Sequence, residues 1–222
     1  MTDYAAARTN MIESQVRPNG ITDRRIIAAM EAIAREDFVP ESRKAVAYVD
    51  EDVLLVPAAG AAAPRYLIEA MAFARMLQQA AVKPTEKVLV VGAASGYGAA
   101  VIAALAAKVV ALESDASLAA KARVNLQHFA NVKIVEGALE AGVRPEAPFD
   151  VVVLEGRVAN VPQTLLDQLG DGGRLIGVVG ETEMAKACVY TSTGGAIATR
   201  DIFDASVAAL PGFLKKRPVF VF

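Results

Sequence analysis

The stretch Val88–Leu105, VLVVGAASGYGAAVIAAL, decides the fold. It opens on a continuous run of branched apolar residues, as expected of a parallel strand covered on both faces. The run stops at a turn of small residues, GAASGYG (Gly92 to Gly98), and an alanine-rich segment of helical character follows. Glycine lets a chain turn sharply, and the start of a helix presents free N–H groups. Extended to Ala107, the segment is 20 consecutive uncharged residues, long enough to span a bilayer. The glycines at 92, 96 and 98, and the change of composition there, assign it instead to a buried strand, a tight turn and a helix.

The same alternation continues toward the C-terminus. VVALES (Val109 to Ser114) reads as a second strand, and a helix is expected around Leu118 to Phe129. VKIVEG (Val132 to Gly137) and FDVVVLE (Phe149 to Glu155) are the third and fourth strands. A helix is expected over Val161 to Leu169, ended by GDGG, with RLIGVVG (Arg174 to Gly180) as the fifth strand. Two further strands flank Gly194-Gly195, a hairpin signal. The tail RPVFVF carries a proline and is expected on an edge. Alternating strands and helices with short connections predict an α/β, doubly wound, mostly parallel sheet of seven strands.

Toward the N-terminus the chain reads as helical. Thr22 is expected to cap a helix whose apolar face is Ile26, Ile27, Met30 and Ile33. After FVP (Phe38 to Pro40) and a short apolar stretch from Val53 to Val56 comes PAAGAAAP, Pro57 to Pro64. Pro64 is expected to open a second helix with Leu67, Met71, Ala74 and Leu77 along one side.

Composition narrows the chemistry. One histidine and one cysteine in 222 residues leave no disulfide framework and no Cys/His metal cluster. His128 reads as a solvated or capping residue and Cys188 as a small buried hydrophobe. A net charge of −2 gives no bulk electrostatic attraction to nucleic acid, and no signal peptide is visible, so the chain is read as cytoplasmic.

Ligands on such sheets bind beyond the carboxyl ends of the strands, where strand order reverses. The residues at those ends are the Gly92 turn, Glu113, Glu136 with Gly137, and Glu155. Glu113 follows the turn by about 20 residues, the position from which a carboxylate accepts hydrogen bonds from ribose hydroxyls. Glu136 is a candidate for an adenine amino group, or a surface carboxylate. The turn lacks the central glycine of G-x-G-x-x-G, which disfavours a dinucleotide and favours S-adenosylmethionine, a cofactor without phosphate.

These segments, together with MIESQVRPNGITDRRIIAAMEAI (Met11 to Ile33), FVPE (Phe38 to Glu41) and AVAYVDEDVLL (Ala45 to Leu55), resemble the protein-L-isoaspartate O-methyltransferase family over most of the chain. The resemblance implies a Rossmann-like methyltransferase domain over residues 1–222, with an N-terminal helical, substrate-side part (1–80) and a cofactor-binding α/β core (81–222). It implies methyl transfer from S-adenosylmethionine, released as S-adenosylhomocysteine, to isoaspartyl carboxylates of damaged proteins, with no metal, nucleic acid or membrane involved. Gly92, Gly96, Tyr97, Glu113 and Glu136 match the family pattern. With Ala93, Ala94, Ser95, Ser114, Gly137 and Glu155 they form the expected cofactor site.

Three positions depart from that pattern. The family's Gln-Thr-Ile-Ser loop aligns with Gly60 to Ala63, so alanine stands at the Thr position (Ala61) and at the Ser position (Ala63). Losing one oriented donor at a reacting oxygen typically raises a barrier by roughly 2.7–4 kcal/mol. The acidic residue expected on the first core strand is Val90, and the turn's middle glycine is Ala94. Glu155 stands where the family has a small or hydroxyl residue, either replacing the missing carboxylate or projecting at the site mouth. Arg65 and Tyr66, beside the altered loop, are assigned to the helix start, with substrate contact as the alternative. A catalytically impaired, ligand-binding or regulatory protein on the same fold is the competing expectation.

Overall fold

The computed structural model describes residues 3–60 and 62–213; Ala61 and the RPVFVF tail lie outside them. Helix α1 (Tyr4–Met11) starts at Asp3, whose carboxylate accepts from Ala6 N at 3.0 Å. It continues through tighter and wider turns until Gly20, at φ 77°, ends it. In α2 (Arg24–Ala32) the cap is Asp23, accepting from Arg25 N at 2.9 Å, and not Thr22. The Thr22 backbone N–H is instead held by Gln78 Oε1 at 2.6 Å, which shifts the helix start by one residue. Ile26, Ile27 and Met30 are buried as their spacing predicts.

Strand β1 (Val53–Val56) pairs antiparallel with β2 (Arg65–Leu67). This corrects the expected helix start at Pro64. Arg65, Tyr66 and Leu67 alternate between buried and half-buried sides, and α3 (Ala70–Ala80) begins only after Glu69. The Glu69 N–H is fixed by Asp52 Oδ1 at 2.8 Å, and the other Asp52 oxygen accepts from Ala208 N at 2.5 Å. Asp52 thereby ties the start of the core to a segment 156 residues away.

The large sheet follows the predicted alternation. In chain order it comprises β3 (Lys87–Val91), α4 (Tyr97–Ala103), β4 (Lys108–Glu113), α5 (Ala116–Asn125), β5 (Val132–Glu136), β6 (Phe149–Val158), α6 (Gln163–Leu166), β7 (Leu169–Val179), β8 (Ala185–Thr193) and β9 (Ala196–Ala205). The spatial order is β5-β4-β3-β6-β7-β8-β9, with β5 through β7 parallel and the last two strands antiparallel. Chain direction across the sheet reverses between β3 and β6, which opens a crevice at their carboxyl ends. Gly194 and Gly195, at φ 56° and 81°, form the two-residue turn between β8 and β9.

Two boundaries differ from expectation. The helix predicted over Val161–Leu169 shrinks to α6, because Leu169 already pairs with Phe149 and the glycines after it are part of β7. Strand β6 runs past Glu155 to Val158. Its register against β7 slips between Val153 and Arg157, a bulge that contains Glu155 and Gly156.

Alternate residues of the parallel strands feed two cores. Val88, Val90, Val151, Val153 and Ile176 pack with α2 to α5. Leu89, Val91, Val110, Leu112 and Leu154 pack with α6, Leu210 and Phe213 on the other face. Cys188 is buried, as expected. No described helix is long and apolar enough to cross a membrane.

Arg35 has no exposed surface; its Nε donates to Ala47 O at 2.7 Å and its Nη2 to Ile68 O at 2.6 Å, joining the N-terminal unit to β2. Removing two such charge-assisted bonds leaves two buried carbonyls unpaired. Arg35→Ala is therefore expected to lower stability by roughly 3–6 kcal/mol, read as a shift of the urea midpoint. A shift equivalent to under about 1 kcal/mol would show that Arg35 does not tie these units together.

Candidate functional site

The turn after β3 is built from residues in left-handed conformations. Gly92, Ala94 and Gly96 have φ of 81°, 50° and 100°. Alanine in that region is disfavoured by roughly 1–2 kcal/mol, which gives a physical reason for glycine at the middle position in the family pattern. Gly92 N and Ala93 N donate to Leu112 O at 2.9 and 3.0 Å, holding the turn against β4. Ala94 N points to Glu113 Oε2 at 2.7 Å.

Glu113, the last residue of β4, is wholly buried and saturated. Its Oε1 accepts from Ser114 N and Asp115 N, both at 2.8 Å, and from Arg65 Nη1. Its Oε2 accepts from Ala94 N and from Arg65 Nη2 at 2.9 Å. The guanidinium lies fork-on-fork against the carboxylate, with side chains 4% and 0% exposed. This overturns the helix-start assignment of Arg65. Nothing local signals the pair, since Arg65 and Glu113 are 48 residues apart. The visible clue is a lone arginine in the otherwise small and apolar run AAAPRYLI.

The remaining expected residues separate into two groups. Glu136 pairs in register with Glu113 at the carboxyl edge, half-exposed and 3.5 Å from Arg123, with Gly137 beside it. Ser114 lines the crevice. Ser95 and Tyr97 turn away: the Ser95 hydroxyl donates to Phe38 O, and Tyr97 is core. The Tyr97 ring meets Phe38 edge-on at 5.6 Å and carries the Arg35 guanidinium 4.9 Å above its centroid. Val90 is buried in the sheet.

Glu155 does not project at the site mouth. It is 5% exposed, and its Oε1 has no hydrogen-bond partner. A Cβ at Gly98 would fall inside its carboxyl group, so the glycine of α4 is what admits it. Burial, reinforced by repulsion from Glu113, pushes its pKa up to about 8, against the pull of Arg35 and Arg65.

Two cavities flank the turn. One, of about 510 Å³, lies between the Ala62–Tyr66 segment, Ser114 and Asp115, and Ala209–Gly212. The other, of about 540 Å³, is lined by Phe38, Lys44, Ser95, Ser117, Lys121 and Asn125. Between them Leu210 rests in the glycine cradle: a Cβ at Gly92 would lie 2.5 Å from Leu210 Cδ2, and one at Gly156 would lie 2.8 Å from Leu210 Cγ. Among the described residues, no group of three or more His, Cys, Asp or Glu is placed to hold a metal.

Comparison with known proteins agrees with this architecture. A family model described as Protein-L-isoaspartate(D-aspartate) O-methyltransferase matches residues 6–206. A Protein-L-isoaspartate O-methyltransferase of Koribacter versatilis is 36% identical over 214 residues, covering 96% of this chain and 94% of the relative. One from Methanoculleus marisnigri is 39% identical over 178 residues, covering 79% and 78%. Among solved structures, a protein-L-isoaspartate O-methyltransferase superposes with a TM-score of 0.81 at 22% identity, over 93% of this chain and 67% of the other. A Plasmodium falciparum structure, described as a complex with S-adenosyl-L-homocysteine, gives 0.74 at 19% identity over 95% and 99%. At those identities the two structures attest the fold.

The raised pKa of Glu155 has a stability consequence. An unfolded glutamate ionises near 4.5 and the folded one near 8. Between those values the unfolded chain holds fewer protons, so stability falls as pH rises through the window. Glu155→Gln is expected to match wild type near pH 5 and to exceed it by roughly a few kcal/mol at pH 8. Equal urea midpoints at pH 8 would show that the carboxyl group ionises without penalty.

Proposed function

The chain belongs to the protein-L-isoaspartate(D-aspartate) O-methyltransferase family, S-adenosylmethionine-dependent enzymes that methylate isoaspartyl carboxylates in proteins, and from that premise we propose how its own residues serve the reaction. The observation that carries the assignment is Glu113, a buried carboxylate at the end of β4 and within hydrogen-bond reach of the Gly92–Gly96 turn, at the reversal of strand order.

The residues suit an adenosine cofactor without phosphate. Glu113 is the acceptor for a ribose diol. Glu136 and Gly137 stand one strand further for the base, and Gly92 and Gly156 leave a cradle that an aliphatic side chain, Leu210, already fits. Among the described residues, Arg65 is the one basic residue that lines the 510 Å³ cavity, in keeping with a ligand that brings no phosphate. The two groups that contest the site, Arg65 and Leu210, are side chains at its edge and not part of the sheet. Gly92, Ala93, Ala94, Gly96, Glu113, Ser114, Glu136 and Gly137 are the residues assigned to hold the cofactor, whereas Glu155, buried against Gly98, is not among them. Ser95 and Tyr97 shape the turn from behind.

Bound there, the cofactor supplies a methyl group on a sulfonium, an electrophile that needs no acid or base to activate it. The acceptor carboxylate is ionised at neutral pH, with an ordinary pKa near ~4. The protein's task is alignment and exclusion of water, which explains how the reaction proceeds without the one histidine or the one cysteine. The wall facing the acceptor includes Ala62, Ala63 and Tyr66, so positioning falls to shape and to backbone groups where relatives of the family pattern offer a hydroxyl. We read the substrates as proteins in the cytoplasm; the net charge of −2 gives no bulk electrostatic attraction to nucleic acid.

Incubation with radiolabelled S-adenosylmethionine and an isoaspartyl peptide is expected to give methyl ester above a heat-killed control. No incorporation at any enzyme concentration would sink the assignment. Ala63→Ser is expected to raise the rate, by up to roughly 10²-fold, if an oriented hydroxyl is what the loop lacks. An unchanged rate would locate the limit in the turn at Ala94.

A further inference from the structure

One buried guanidinium lies between two buried carboxyl groups and serves only one of them. Arg65 binds Glu113 with both terminal nitrogens. Glu155, with its unpartnered Oε1, lines the same narrow cavity as Arg65, a space of about 10 Å³ also bounded by Asp52, Tyr66, Ile68 and Leu210. A space of that size has room for about one water. A shift of the guanidinium therefore has a ready receptor and no need to reach solvent.

The partner that Arg65 now holds is the carboxylate assigned to the ribose. Both oxygens of Glu113 are filled, Oε1 by four donors and Oε2 by two. Three of those six bonds come from backbone N–H groups of the turn and the α5 start and are fixed by the fold, and a fourth, at 3.4 Å, comes from the adjoining Ser114 hydroxyl. The two from Arg65 are the ones that a ligand hydroxyl can replace.

We propose that Arg65 and a ribose diol compete for Glu113, and that the displaced Arg65 passes to Glu155, which releases its proton as the new ion pair forms. The proposal rests on the cofactor reading above. It makes Arg65 a positioning residue. Because it belongs to β2 and borders Ala62 and Ala63, the exchange couples occupation of the adenosine site to the placement of the wall that faces the methyl acceptor.

The groups that face Glu155 fit this exchange. From β4 comes Glu113, whose charge keeps Glu155 protonated. Arg35 and Arg65 come from the N-terminal unit and β2, and Tyr97 stands at the start of α4. Asp52 lines the cavity but is held by the N–H groups of Glu69 and Ala208. Arg35 is bound to two carbonyls that no diol addresses, whereas Arg65, held by Glu113 and 3.5 Å from Gly92 O, is the cation that a diol on Glu113 would displace. A carboxyl group titrating near 8 is about nine-tenths protonated at pH 7, and an arriving guanidinium ionises it. The proton leaves to buffer.

Calorimetry with S-adenosylhomocysteine, repeated in buffers of different ionisation enthalpy, counts that proton. The wild-type protein is expected to release about one proton per site at pH 7 and close to none at pH 9.5, where Glu155 is already ionised. Glu155→Gln, which keeps the side-chain shape, is expected to bind with no release, as is Arg65→Ala, while Arg65→Lys restores part of it. A wild-type protein that binds without proton exchange at pH 7, or a release undiminished in Glu155→Gln, would overturn the proposal. So would binding by Arg65→Ala alone, which would mark a lock that does not open. Absence of binding heat in wild type and in all three variants would overturn the cofactor reading itself, and the exchange with it.

Discussion

The ion pair between Arg65 and Glu113 is the interaction on which the site depends. Taking two charges out of water costs several kcal/mol for each ion, and such a pair persists only when its geometry is close to ideal and its remaining valences are filled. Both conditions hold here. The fork matches the carboxylate, and three backbone N–H groups complete it. These bonds bring together the start of α5, the turn after β3 and the small β1–β2 sheet, three pieces of chain that share no local sequence. The shape of the crevice follows from them.

Around that pair the core is unusually polar for a sheet so rich in valine and alanine. Arg35, Tyr97 and Glu155 are all buried, and Glu155 retains an oxygen without a partner. Buried polar groups left unpaired are destabilising, and proteins retain them chiefly where function demands it. Their place in this chain, beneath the turn at the switch point of the sheet, is where ligands bind in folds of this class. The same region contains Ala94 in a left-handed conformation and the bulge at Glu155–Gly156. Strain, an unpaired group and broken strand register converge on one edge of an otherwise regular sheet.

Much of this was legible in the sequence. The alternation from Val88 to Val158 foretells parallel strands, because only residues buried on both faces form such unbroken apolar runs. The spacing from the Gly92 turn to Glu113 singles out, without reference to structure, the carboxylate proposed for the ribose. Periodicity misled where it competed with a partner distant in sequence. Arg65–Leu67 joins β1 as a strand although the residues after it form a helix, since Arg65 is drawn inward by Glu113. The glycines at 170, 172 and 173 read as a helix stop, yet they belong to a strand that bends around Phe149. Glu155 reads either as a cofactor-site carboxylate or as a charge projecting at the site mouth, and neither reading foresees a buried group. Its burial depends on Gly98 leaving room on a neighbouring helix, which no single-sequence pattern encodes.

In the proposed exchange Glu113 has two successive claimants, and a crystal structure of the protein with S-adenosylhomocysteine bound tests that most directly. The ribose hydroxyls are expected on Glu113, with the Arg65 guanidinium moved from it to Glu155 and Leu210 lifted from the Gly92 cradle. A complex in which Arg65 still grips Glu113 with both nitrogens, the nucleoside lying elsewhere, would contradict it.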